Sequence, residues 1–480
     1  MPSVLQKIIY TGTFLSTPSL DELQVLASHA VGVDEDGVIR HIEHMSDQSD
    51  TGIQELAVSW GWGKWEEGKW SCVKGGAGGN SWWFPGFVDT HIHASQYPNC
   101  GIIGKTTLLD WLTTYTFPLE SSFSSLSKAR QVYTACVSRT LSHGTTTASY
   151  FATRHVAATN LLADICLEKG QRAFIGRVCM DSDMSPSYYR DESPQQALTD
   201  TIATITHIKT IDPTHTLLTP ILTPRFAPSC TSPLLTALGS LSAQENLPIQ
   251  THISENTSEV SLVASLFPTH TSYAHVYDAH ALLTPRTVLA HAIHLTPPER
   301  ALISSRKSSI SHCPISNTSL SSGLCRVRDL LDQGITVGLG TDTSGGYSAS
   351  ILAAAREASM VSRIVAHLTP EEPSAPDPTT TTTTTTVPQT PDPNPKPCKK
   401  LSVPESLYLA TLGGASCLGL SHRIGNFAIG MDWDAQLIEL GTAPDAEGSV
   451  AGEGIGDVGG QDRGNTRRVY VRGRLVHERR

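Results

Sequence analysis

Residues 85–93 read Pro-Gly-Phe-Val-Asp-Thr-His-Ile-His, and the last six of them, VDTHIH at 88–93, decide the fold. A β-branched, apolar run that ends in two histidines two positions apart is strand-like, and strand alternation puts both imidazoles on one face. Similar runs recur down the chain: TTTASYF (145–151), RAFIGRV (172–178), LLTPILT (217–223), PIQTHIS (248–254), TVLAHAI (287–293), SSISHCP (308–314) and TVGLGTD (336–342). Between most of them lies a stretch of helical length and periodicity, such as SKARQVYTACVSRTLSHG or SPLLTALGSLSAQENL. Strands separated by helical crossovers predict an α/β protein whose parallel strands close into a (β/α)8 TIM-type barrel.

The regions outside the barrel read differently. Residues 1–59 look like short strands and turns, with an Asp-Gly hairpin signal inside VDEDGVIRHIE. Residues 60–83 hold six of the eight tryptophans among many glycines and read as a surface loop that tucks its indoles onto the neighbouring sheet. Residues 368–400 contain eight consecutive threonines (379–386) flanked by Pro and Asp; they read as a disordered insertion with too little apolar surface to offset its ordering entropy. Strand-like pieces return near the C-terminus around a Gly-rich loop at 448–464. The expected organisation is therefore a barrel over 84–423 and a small β-sandwich domain built from both chain ends, 1–83 and 424–480.

Composition narrows the function. Thirty-five Lys+Arg against 45 Asp+Glu give a net charge of −10, which argues against a nucleic-acid partner. No run of 18 apolar residues spans a membrane, and Met1 to Thr17 lack the pattern of a signal peptide. Ten cysteines occur with no C-x-x-C pair, as expected of buried free thiols in a reducing compartment. A cytoplasmic enzyme is the expectation. The 19 histidines need an explanation.

Their positions supply one. His91 and His93 end the first strand, His252 lies at the end of the fifth, His291 near the end of the sixth, and Asp342 ends the eighth. Active sites of such barrels are built at the C-terminal strand ends. Each residue alone has a plainer reading: a hydrogen-bonded histidine pair, a core histidine, or an N-cap aspartate in Asp-Thr-Ser. Together on one rim they point to a metal site, for which histidine and carboxylate are suited ligands. Glu255, three residues past His252, can reach a reacting water without being a ligand, although a helix-start glutamate reads the same way. With Asp342 to accept a proton and His291 to stabilise an oxyanion, the set suits hydrolysis at an electrophilic C–N centre. His143 precedes the second strand and so falls at the opposite rim, as a structural residue. His312, at the end of the seventh strand, is read as shaping the pocket.

PGFVDTHIHASQYPN, TPRFAPSC, THISENTSEV, VLAHAIHL, SHCPISNTSL and GLGTDTSGG together resemble the amidohydrolase superfamily, and HASQYPN, TPRF and HISEN resemble most closely its guanine-deaminating branch. The likeness covers roughly 84–365; the 60–83 stretch and the Thr run look like insertions. It implies His91, His93, His252 and Asp342 as ligands of one zinc ion per chain, Glu255 as proton shuttle and His291 beside the reacting oxygen. It also implies that Gln96, Arg225 and Phe226 hold guanine, with His93, His252, Glu255 and Asp342 also touching it. An arginine fork matches the O6 and N7 acceptors of guanine, an aromatic ring stacks on a base, and a glutamine both donates and accepts. The fourth strand, LLTPILT, has no lysine to bridge a second metal, so one ion is expected. The reaction implied is guanine to xanthine and ammonia, in purine catabolism, by a protein that forms homodimers. Deamination or dechlorination of another heterocycle, or a metal-free binding barrel, are the alternatives.

Overall fold

The computed structural model describes residues 6–65, 68–75, 80–102, 105, 107–368, 399–440 and 465–479. The expected disordered insertion at 368–400 falls almost wholly outside them, and the Gly-rich loop at 448–464 does so entirely.

Every residue of Phe87–His93 and of Thr145–Phe151 is buried, as expected of parallel strands covered on both faces. These two pair in parallel with each other, and the sheet continues through Arg172–Gly176 to Leu218–Pro220. A second parallel sheet runs Ile249–Ile253, Thr287–His291, Ser309–His312 and Val337–Leu339. The eight runs read from the sequence are thus all strands. The third and fourth are each broken, continuing as a separate parallel pair, Val178–Cys179 with Thr223–Pro224. The break in the fourth falls at Ile221 and Leu222, where the Leu222 amide turns to the Pro248 carbonyl at 2.9 Å. At Gly176 a Cβ would lie 1.7 Å from Thr223 Oγ1, so the strands approach this closely only because the residue is glycine.

Hydrogen bonds continue between the sheets. Leu222 bridges to Ile249 in parallel, and at the other side the Asp342 amide donates to the His91 carbonyl at 2.9 Å. Thr90 Oγ1 also donates to the Leu339 carbonyl at 2.8 Å. The result is an α/β fold in which helices separate successive strands, among them Leu126–Ser142, Val156–Lys169, Pro194–Ile211 and Ser232–Glu245. Local sequence sets several helix starts. Ser193 and Thr231 cap through their hydroxyls, while Asn256 with Glu259 and Thr296 with Glu299 form capping boxes.

Strands from both chain ends join in one eight-stranded sheet. Lys7–Ser19 pairs antiparallel with Glu22–Val33, which pairs with Ile39–His44 across the expected Asp-Gly turn. Gly37 in that turn has φ +76°, and a Cβ there would sit 2.0 Å from the Arg472 carbonyl oxygen. The region 60–83 departs from the loop expected of it. Trp70–Lys74 is a strand parallel to Lys7–Ser19, and Ser81–Pro85 is a strand that joins the N-terminal half to Ala435–Glu439. Trp83 is fully buried and packs with Tyr10, Phe14 and Trp433, whereas Trp60 stacks on His41 at 4.5 Å between ring centroids. Tryptophan suits a half-buried pleated surface, and here that preference outweighs the neighbouring glycines. A helix, Asp50–Ser59 with Ser49 as its N-cap, stands where only strands and turns were expected.

Arg172 ties this sheet region to the parallel strands. Its Nη2 lies 2.8 Å from Asp432 Oδ2 and 3.3 Å from Asp434 Oδ1, with all three side chains buried. The nine described cysteines are free thiols, and no described helix is long and apolar enough to cross a membrane.

Candidate active site

The C-terminal ends of the parallel strands bring His91, His93, His252, Glu255, His291 and Asp342 to one place, although the sequence spreads them over most of the chain. Strand alternation supplies the first pair. His91 and His93 share a face and both rings contact Phe151. Asp342 does not end its strand, as the sequence implied; it lies beyond Val337–Leu339 in left-handed backbone, φ 44°. His291 (φ 74°) and Ser254 (φ 48°) share that region. Non-glycine residues held there cost of order 1–3 kcal/mol each and concentrate at functional sites.

Three contacts define a tetrad of donors. His91 Nε2 lies 3.2 Å and His93 Nε2 3.4 Å from Asp342 Oδ1, and His93 Nε2 lies 3.2 Å from His252 Nε2. A tetrahedral ion with bonds of about 2.1 Å separates its ligand atoms by about 3.4 Å, which these three contacts match. The donor atoms that lie mutually within 4.8 Å are those of His91, His93 and His252 and those of His91, His291 and Asp342. Protonation supports the same fit. Burial lowers the pKa values of His91, His93 and His252, which leaves their imidazoles neutral with a lone pair to give. Burial alone would raise the Asp342 carboxyl, but its contacts with the surrounding histidine rings, His91 first, hold it well below the ordinary range. The buried Nε2 atoms of His91 and His291 have no hydrogen-bond partner among the described residues. Unpartnered polar atoms at a packed centre are costly, and a cation answers that cost.

Surrounding groups orient this set. His252 Nδ1 contacts the Arg225 carbonyl at 2.6 Å, and His291 Nδ1 contacts Asn317 Oδ1 at 2.9 Å. Asp89 accepts from the Thr341 amide and hydroxyl and from the His91 amide; burial pushes its carboxyl up to about 7. Glu255 Oε2 faces His291 Nε2 at 3.4 Å. Burial, then Asp342 and Glu259, push the Glu255 carboxyl well above its ordinary range. The Glu255 amide donates to Glu259 Oε2 at 2.8 Å, so the capping box of the next helix also fixes the start of this loop.

A cavity of about 430 Å³, counted to its mouth, opens beside the tetrad. His93, His252, Glu255, His291 and Asp342 form its floor, and Gln96, Arg225 and Phe226 its wall, with Leu108, Trp111 and Leu320 among the apolar lining. All the substrate-contact residues expected from the sequence line it. The sequence reading missed Glu120. This fully buried carboxylate accepts from Arg225 Nη1 at 2.6 Å, from Arg225 Nη2 at 3.2 Å and from Gln96 Nε2 at 2.9 Å. Nothing in FPLESSF marks it; only the partners reveal it. Asn317 and Phe117, the latter 5.2 Å under the Arg225 guanidinium, were also missed. His143 lies apart, at the end of helix Leu126–Ser142, and His312 is buried with neither ring nitrogen hydrogen-bonded among the described residues.

A donor set able to hold a metal ion stands at the strand ends, and residues 82–476 match the amidohydrolase family. The chain belongs to that family. Over 98% of its length it is 39% identical to the guanine deaminase of Dictyostelium discoideum, covering 98% of that protein. It is 51% identical over 357 residues to a probable guanine deaminase of Schizosaccharomyces pombe; that match spans 74% of this chain and 63% of that relative's length. Among solved structures it resembles the guanine deaminase of C. acetobutylicum with bound guanine in the active site, with a TM-score of 0.79 and 30% identity over 98% of this chain and 100% of that one.

Proposed function

We propose that this protein hydrolyses guanine to xanthine and ammonia. The observation that carries this reading is the convergence beside one cavity of two overlapping donor triads, His91–His93–His252 and His91–His291–Asp342, with a buried Glu255 and the polar side chains of Gln96 and Arg225. Similarity to guanine deaminases over nearly the whole chain supports the choice of substrate.

His91, His93, His252 and Asp342 would hold one zinc ion. When bound, it supplies the Lewis acidity that makes hydroxide available near neutral pH. Phe226 stacks on the purine plane, and Gln96 and Arg225 read its polar edge. Glu255 takes the proton released when water adds to C2, gives it to the adjacent ring nitrogen, and then serves the departing amine. Burial raises its pKa, which favours holding the proton between its uptake and its delivery. His291, 3.4 Å from Glu255, faces the oxygen that C2 acquires and stabilises its charge. Bond formation between C2 and oxygen and loss of the C2 amine as ammonia balance the reaction.

In this reading the parallel strands close into a (β/α)8 barrel over 84–423, and the sheet from residues 1–83 and 424–480 folds as a small β-sandwich beside it. The free thiols fit a cytoplasmic protein of purine catabolism acting on a free base as a homodimer, with no nucleic-acid or membrane partner. A panel of purines, pyrimidines and triazines followed by absorbance, with metal content measured on the same sample, tests the proposal. Xanthine from guanine with about one zinc per chain is expected. No xanthine from guanine overturns the substrate, and full activity without metal overturns the mechanism.

A further inference from the structure

Glu120 stands behind the cavity wall and touches two of its polar residues at once. It is fully buried, sits in the short helix Phe117–Ser121, and accepts three hydrogen bonds, two from Arg225 and one from Gln96. A carboxylate only accepts, so the Gln96 amide has one orientation open to it: Nε2 toward Glu120 and Oε1 on the other side. There Oε1 meets the Ser344 hydroxyl at 3.4 Å and keeps a lone pair beside the cavity that Gln96 lines. A free glutamine would present donor or acceptor equally well; this one is set as an acceptor.

The same carboxylate fixes Arg225. Two of its five N–H groups go to Glu120, and the guanidinium lies 5.2 Å over the Phe117 ring, so its remaining donors are held in place beside the cavity. Burial opposes the Arg225 charge, and the Glu120 carboxylate restores it. The wall therefore carries a fixed pattern of donors from Arg225 and an acceptor from Gln96. Its charge is locally neutral, as a neutral ligand requires.

We infer that Glu120 is a specificity-determining positioning residue, which locks Gln96 and Arg225 into the pattern that complements a lactam edge of a purine, a ring carbonyl beside a ring N–H. The inference rests on the purine-deaminating reading of the cavity. A lactam edge offers an acceptor to Arg225 and a donor to Gln96 Oε1. An amidine edge, an exocyclic amine beside an unprotonated ring nitrogen, offers the reverse and leaves buried groups facing like groups, which is the costly mismatch. Glu120 itself need touch no substrate.

The test uses full-length, metal-loaded protein and two bases with no amine at C2, hypoxanthine (lactam) and adenine (amidine), titrated by calorimetry. Wild type is expected to bind hypoxanthine at least about 100-fold more tightly than adenine, a ratio within reach of a site built around paired hydrogen bonds. Glu120→Gln, which lets the Gln96 amide turn over, is expected to shrink that ratio at least tenfold with metal content unchanged. Glu120→Asp, which keeps an acceptor, should recover part of it. A merely structural role would weaken both bases equally, and an unchanged ratio in folded Glu120→Gln overturns the inference. So does wild type that binds the two bases alike. Should Glu120→Gln fail to fold, Gln96→Leu is compared instead: loss of hypoxanthine affinity with adenine unchanged supports the inference, and equal binding of hypoxanthine to variant and wild type overturns it. Failure of the wider functional reading shows separately, as absence of xanthine from guanine in wild type.

Discussion

His91 Nε2 and Asp342 Oδ1 face each other at 3.2 Å, yet the imidazole nitrogen forms no hydrogen bond of ordinary geometry. Two buried polar atoms that close, from opposite ends of the parallel-strand region, are held by the backbone bond between the Asp342 amide and the His91 carbonyl. The backbone thus fixes the spacing of these two side-chain atoms, which in the proposed site would both hold one ion.

Removing the ion should cost stability as well as turnover. A ligand bound at a thousand times its Kd contributes about 4 kcal/mol to the folded state. Chelation is expected to abolish activity and lower the Tm by several degrees, with both restored by added zinc. Asp342→Asn should hold well under one ion per chain. Metal analysis beside calorimetric melting checks this, and a Tm indifferent to chelation would count against the site.

Glu255→Gln should keep the metal and lose turnover by at least about 100-fold, because an amide cannot carry the proton. Burial raises the wild-type carboxyl, so the group that must start deprotonated remains protonated to higher pH than an ordinary glutamate. The acid limb of kcat/KM should accordingly lie nearer neutrality. Near-normal activity in Glu255→Gln removes the residue from the mechanism.

Arg225→Ala should reduce guanine kcat/KM roughly 10- to 100-fold, since a lost charged hydrogen bond costs about 1.5–3 kcal/mol. The variant also strands the buried Glu120 carboxylate, so a drop in Tm should accompany the kinetic loss. Steady-state kinetics with guanine, read beside the melt, separate the two effects.

His312 predicts a pH dependence of stability with a definite sign. Burial pushes this imidazole down to about 3, whereas the unfolded chain titrates near its ordinary 6.5. Between those values the unfolded state binds the extra proton. Stability is therefore full above about pH 6.5 and falls by up to about 1.4 kcal/mol per unit as pH drops toward 3. Urea denaturation of wild type and His312→Phe at pH 7.5 and 5.5 should show a smaller acid loss in the variant; identical losses would sink the assignment.

Arg172→Met leaves Asp432 and Asp434 with one buried partner fewer where the end-to-end sheet meets the parallel strands. Breaking a buried ion pair from one side costs about 3–5 kcal/mol. The variant should melt well below wild type but keep its kcat at low temperature, because Arg172 lies outside the cavity lining. A lower kcat with an unchanged Tm would contradict this placement.

The sequence by itself determined the parallel strands and the residues at their ends. Two-residue alternation in VDTHIH and β-branched runs bounded by turn residues are local physics, legible wherever they occur. The same locality put His252, Glu255 and His291 on one rim, and resemblance to a known family gave them roles. It failed where local signals conflicted or were absent. Glycines around the tryptophans at 60–83 masked two strands, because Trp83 packs against Tyr10 and Trp433 from the two ends of the chain and Trp70 joins a separate cluster with Ile9 and Ala30. Asp342 reads as a strand end, yet it sits beyond its strand in left-handed backbone fixed by the His91 carbonyl. Glu120 carries no pattern at all. Its part in the wall comes from Arg225, distant in the chain and paired with it through space. Periodicity and capping act within a few residues, so a single chain reveals them. Partnering between buried charges depends on which side chains the fold brings within 3 Å, and only the tertiary structure decides that.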